Sequence, residues 1–403
     1  MPDLFIRRLV LFLIASLVVF DGIQLLGIPI LNAFIILLFI LSIIVFKVGL
    51  DHDLSLFVIL HLLIFFIALT TSIIFGSDLY TDIRFIVTSL GLLMMSLLIY
   101  WYIRDINDLY FSLKIFSLSF FALSVLNILT TVGFIEPLSG QLTNNMNYIG
   151  DSLLGNVVIG KGQFLIMTNG NFTLLLVMYL SSIHTLFRVR SGFFSNYLCF
   201  SVLWFVAMIG AIFIQSRALF VSILLFYLIL GLNAFAQSKY RRFAIFIFLT
   251  IFLAIFIALI PYIINTVFES SSGFSSRLAM IVSALELASE NILFGNSISY
   301  QNDFALQKHG VPFHNYFLRY FSGLGFIGMM LIILTILIAF KKNIEISRFN
   351  HKGVFFCILS PAFYAMIFMI NVYPAVSVKP MYFYFAVLFA LSTMIKSEKL
   401  KLF

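Results

Sequence analysis

Charge is what this chain has least of. Asp, Glu, Lys and Arg make up 10% of its 403 residues while 62% are hydrophobic, too few charges to coat a water-soluble domain of that length. Cysteine is almost missing as well. Cys199 and Cys357 both fall inside apolar runs, which excludes a disulfide framework and a cysteine-based zinc motif. The outer loops defined below hold no carboxylates paired with histidine at ligand spacing, so no divalent-cation site is expected there. The formal charge of +8 is scattered through short loops, not gathered into a patch, and nucleic acid is not an expected partner.

What remains is apolar sequence in long runs, with a mean hydropathy of +1.13 and 50 phenylalanines. This composition belongs to an all-α polytopic membrane protein. About twelve segments of spanning length are expected, near 8–26, 28–46, 54–75, 83–103, 109–133, 163–187, 195–214, 217–236, 243–265, 315–340, 353–372 and 380–395. The first is read as a retained anchor, because another apolar run follows at once and no small-residue cleavage site intervenes. With both termini in the cytoplasm, sixteen of the 24 basic residues fall in inner loops and seven in outer ones, with Lys114 undecided within a span. That is the asymmetry the positive-inside rule asks for.

The chain then divides into a first membrane part, 1–265, a long outer loop, 266–314, and a last membrane part, 315–403. The loop is far longer than a turn between spans requires. Ser275 and Ser276 offer N-caps for a helix headed by Arg277, whose Leu278, Ile281, Val282, Leu285 and Ile292 repeat at helical spacing. Arg217, in Gln-Ser-Arg, opens a span on the same side, and His314 opens another. A cation at a helix start opposes the dipole unless an anion binds there, where guanidinium and backbone N–H groups converge on it. A histidine at such a place stays neutral and can accept a proton. Arginines at a membrane edge also snorkel to headgroups, and a lone histidine often only caps. Glu286 and Glu290 share a helix face, as a catalytic pair or as a solvated surface.

A transporter built from two halves would show related halves and partnered charges near mid-membrane. No internal repeat is evident, and Asp21, His61 and Lys114 fall in different spans without an obvious partner. Transport is the minor reading.

The order of Gln-Ser-Arg217, the stretch SSRLAMIVSALELASENILFGNS, and HNYFLRYFSGLGFIG running into a span resembles the O-antigen polymerase and O-antigen ligase superfamily. The likeness covers roughly Gln215 to Phe340. Its recurring elements here are Arg217, Arg277, the Asn291–Asn296 turn, His314-Asn315, and Gly323, Gly325 and Gly328. Leu293 stands where many relatives have proline, and Ala218 where glycine is frequent.

The resemblance implies a C-type membrane glycosyltransferase in the bacterial inner membrane, with its active site in the periplasm and no cofactor or metal. Donor and acceptor would be undecaprenyl-diphosphate-linked oligosaccharides, with a chain-length regulator as a further partner. Arg217 and Arg277 would bind the diphosphate, and His314 would orient or deprotonate the acceptor hydroxyl. Asn315, Glu286, Glu290 and Arg319 would support them. A polymerase is favoured; the alternative is a ligase that transfers the glycan to lipid A core.

Overall fold

A computed structural model of the chain describes residues 4–20, 24–25, 28–45, 51–131, 163–164, 167–189, 192–214, 217–236, 271–310, 313, 315–349, 361–368 and 379–396. Its helices are α1 (Leu4–Val19), α2 (Ile30–Val45), α3 (His52–Phe75), α4 (Leu79–Tyr102), α5 (Ile106–Thr131), α6 (Asn169–Arg188), α7 (Tyr197–Ile214), α8 (Arg217–Ala236), α9 (Ser271–Glu290), α10 (Ile298–His309), α11 (Tyr316–Phe349) and α12 (Lys379–Lys396). A further helical stretch occupies 361–368. The only strands among the described residues are two antiparallel pairs of two-residue strands, before α2 and before α6.

Helices overlie the expected apolar segments in whole or in part, except 243–265, which lies outside the described residues. Four of them, His52–Phe75, Leu79–Tyr102, Ile106–Leu129 and Tyr316–Ile346, are long and apolar enough to cross a membrane. The chain is a helical membrane protein. The stretch 266–314, expected to contribute one helix, holds two among its described residues.

The bundle is organised around α12. Its residues from Lys379 to Leu391 are all buried, the signature of a helix apolar on every side and wrapped by others. It packs on α4 and α11, α3 packs on α11 and α4, and α1 lies along α5. Large apolar side chains such as Ile59, Phe66 and Ile73 of α3 point away from the protein, where lipid would meet them.

Two polar clamps tie helices together at the basic end. Lys342 of α11 is fully buried, with Nζ 2.7 Å from Asp53, 3.1 Å from Asp51 and 3.4 Å from Glu345. Glu345 also accepts from Ser392 and pairs with Lys396 of α12. These contacts occupy the Asp51-His52-Asp53 pair with lysines. Arg7 of α1 bonds the buried Asp108 of α5 at 2.9 Å.

His61 does have a partner. Its Nδ1 faces the Phe57 carbonyl at 2.8 Å, and its Nε2 lies 2.6 Å from the Tyr382 hydroxyl of α12. A carbonyl only accepts, so Nδ1 carries a proton; in the neutral ring Nε2 then accepts from the tyrosine.

Candidate functional site

At the opposite end of α11, the outer-loop residues fold back onto the bundle as one packed unit. The chain leaves α9 in a tight turn whose Gly295 has φ +74° and donates to the Asn291 carbonyl at 2.8 Å. Asn291 donates to the Asn296 side chain, which in turn donates to the Leu287 carbonyl at 2.7 Å and so satisfies the end of α9.

This turn enters a break in α11. Gly325 there has φ +69°, a left-handed geometry that glycine adopts without penalty. The break frees two helical N–H groups, and the turn takes them: Phe326 donates to Ile292 at 2.7 Å and Ile327 to Leu293 at 3.2 Å. A Cβ on Gly325 would lie 2.3 Å from the Leu293 oxygen, and one on Gly295 would lie 2.4 Å from the Gly325 nitrogen. Backbone meets backbone, so only glycine fits on either side.

Helix α10 begins at Ser297, whose φ of +70° is rare for a residue with a side chain. Its hydroxyl caps the Tyr300 N–H at 3.2 Å. The strain is held by what surrounds it. Asp82 of α4, buried, accepts from the Ser299 N–H at 2.8 Å and its hydroxyl at 2.6 Å. Ser77, in the turn between α3 and α4, donates its N–H to Ser299 and its hydroxyl to Asp303. A carboxylate at a helix start is favoured by the helix dipole, and here it comes from another helix.

The expected site residues fall on this frame as follows. Arg217 is the first described residue of α8, and α8 packs on α6. Arg277 does not head its helix. The helix already includes Ser271 to Ser276, ahead of it. Arg277 therefore stands in the second turn, where the dipole contributes little. Farther along the same helix, Met280, Ala284 and Leu287 are buried in one cluster with Phe313. The side chains of Arg217 and Arg277, and all of His314, lie outside the described residues.

Asn315 is the cap of α11, its Oδ1 accepting from the Leu318 N–H at 3.0 Å. Glu286 pairs at 2.8 Å with Lys308 across an exposed surface, and Glu290 is exposed, the solvated face of the two readings. The stripe of Ile281, Val282 and Leu285 faces outward; the packing face of α9 is Met280, Ser283, Ala284, Leu287 and Ala288. Small residues let α9 approach α11 closely.

Arg319 lies in the first turn of α11, with its Nε sealed from solvent and no hydrogen-bond partner. Two tyrosines of the same helix, Tyr316 and Tyr320, stand on either side of it in sequence and join hydroxyls at 3.3 Å. Tyr382, the partner of His61, lies on α12, which packs on α11. On the inner face of α10, the carboxamide of the fully buried Gln301 finds no partner for either polar atom.

Asp82 and Gln301 were not legible as site residues. An acidic residue just inside an apolar run was the available signal for Asp82; Gln301 carried none. Compared with known proteins, no family model and no curated sequence matches the chain.

Proposed function

We propose that this chain is an inverting, metal-independent polymerase of bacterial surface polysaccharide, a C-type glycosyltransferase of about twelve spans in the inner membrane. It transfers a growing glycan from undecaprenyl diphosphate to a lipid-linked repeat unit on the periplasmic side. One observation carries the reading. The Asn291–Asn296 turn and the Gly323–Gly325 segment, noted separately as parts of the family pattern, are joined by the Phe326–Ile292 and Ile327–Leu293 hydrogen bonds. The same unit holds α9, on which Arg277 stands, against Phe313, the residue before His314.

The chemistry follows from the leaving group. A departing diphosphate gains negative charge, and arginines stabilise it through bidentate, charge-assisted bonds. Arg217 and Arg277 have that role. His314 positions or deprotonates the acceptor hydroxyl for attack at the anomeric carbon, and a single displacement inverts it. Positioning contributes much of the rate, since diphosphate already leaves readily.

Deleting the gene and resolving the lipopolysaccharide on a gel tests this reading. Core bearing one repeat is the expected result. Bare core would make the enzyme a ligase to lipid A core, repeats stranded on the inner leaflet would make it a transporter, and an unchanged ladder would end the proposal.

A further inference from the structure

A guanidinium in the first turn of a membrane helix needs a counter-charge, because removing it from water unpaired costs several kcal/mol. Arg319 has none among the described residues. Among the described residues no hydrogen bond and no ion pair reaches its side chain, and its neighbours on α11, Tyr316 three residues before it and Tyr320 next to it, carry no charge as hydroxyls. Elsewhere the fold does supply counter-charges: Lys342 meets three carboxylates and Arg7 meets Asp108.

The surroundings suit an anion with several oxygens. Tyr316 and Tyr320 bring two hydroxyls, 3.3 Å apart, from one side of the same helix, and Tyr382 of the neighbouring α12 has its own hydroxyl fixed on His61. Only the Nε edge of Arg319 is among the sealed atoms. A planar fork with one edge sealed and hydroxyl donors beside it matches a phosphoryl group.

We propose that Arg319, flanked by Tyr316 and Tyr320, binds the phosphate oxygens of the lipid-linked substrate, as a cation additional to Arg217 and Arg277. Naming the lipid as a polyprenyl diphosphate rests on the function proposed above; the phosphate chemistry rests on the cluster itself.

The full chain in phosphatidylcholine nanodiscs, titrated with undecaprenyl diphosphate, tests it. Arg319→Gln is expected to weaken binding roughly tenfold or more, Arg319→Lys to weaken it less, and Tyr316→Phe by a few-fold. Arg84→Gln, an exposed outer cation on α4, is expected to leave it unchanged. Inorganic pyrophosphate should compete, and phosphatidylglycerol should not. Equal binding by folded Arg319→Gln overturns the proposal, as does displacement by phosphatidylglycerol at equal concentration, which would mark a general headgroup site. Should Arg319→Gln not fold, Arg319→Lys with wild-type affinity overturns it. If Arg277→Ala is inactive while Arg319→Gln binds and transfers normally, only the Arg319 assignment fails. If the wild type binds through Arg319 and transfers nothing, only the transferase reading fails.

Discussion

Asp82 and Ser299, 217 residues apart, share two hydrogen bonds of 2.8 and 2.6 Å. This pair fastens the start of α10 to α4 and therefore the α9–α10 unit to the bundle. Asp82→Ala leaves the buried Ser299 N–H without its acceptor, and its hydroxyl with only Ser297 at 3.1 Å, at a cost of about 1–3 kcal/mol. Hydrogen exchange over 297–310 should rise well before the core opens. Unchanged protection there would show that packing alone holds α10.

The two glycines of the turn and the break are not replaceable by alanine. For Gly325→Ala or Gly295→Ala the added carbon meets backbone, and neither side can yield. Folded protein should be lost in detergent extracts. Gly310→Ala is the control: its φ of +70° is similar, but nothing lies within 4 Å of the new carbon, so it should cost only about 1–2 kcal/mol. Comparable yields for all three would contradict the packing argument.

Lys342→Met should destabilise by about 3–5 kcal/mol, because Asp51, Asp53 and Glu345 would be left facing one another without their buried cation. Denaturant unfolding measures it. Asp53→Asn added to Lys342→Met should recover part of the loss.

Arg217→Ala and Arg277→Ala should abolish glycan transfer with expression intact, and lysine should rescue poorly because the planar fork is gone. His314→Ala should be strongly impaired. Lipopolysaccharide ladders in complemented deletion strains give the readout, and near-normal assembly by Arg277→Ala would remove it from the mechanism.

The Asp78 cap of α4 sets a mild acid sensitivity. The Thr81 hydroxyl, with the Tyr80 and Thr81 N–H groups, holds this carboxyl below its ordinary value. A depressed carboxylate stabilises above its unfolded pKa and loses that contribution as pH falls through the folded one. Asp78→Asn should therefore flatten the decline in melting temperature on the acid side.

Helix placement was legible because apolar length alone reports it. The orientation of α9 was not. Periodicity marked Ile281, Val282 and Leu285 as a stripe, but in a membrane protein an apolar stripe meets lipid as readily as protein, and the true contact runs over alanine and serine. The start of α10 was hidden because Ser297 adopts a conformation its residue type does not advertise. The His61–Tyr382 contact joins residues 321 apart, a pairing no local pattern encodes. Arg217, Arg277 and His314 stood out through residue type at helix openings, yet Arg277 has helix on both sides of it.

The interruption at Gly325 has a mechanical corollary. Because Ile292 and Leu293 complete the ladder that the long helix cannot complete itself, the turn behaves as a splice in that rod. Any bending of the long helix must therefore be taken up at another joint, because this one is held on both sides by backbone hydrogen bonds.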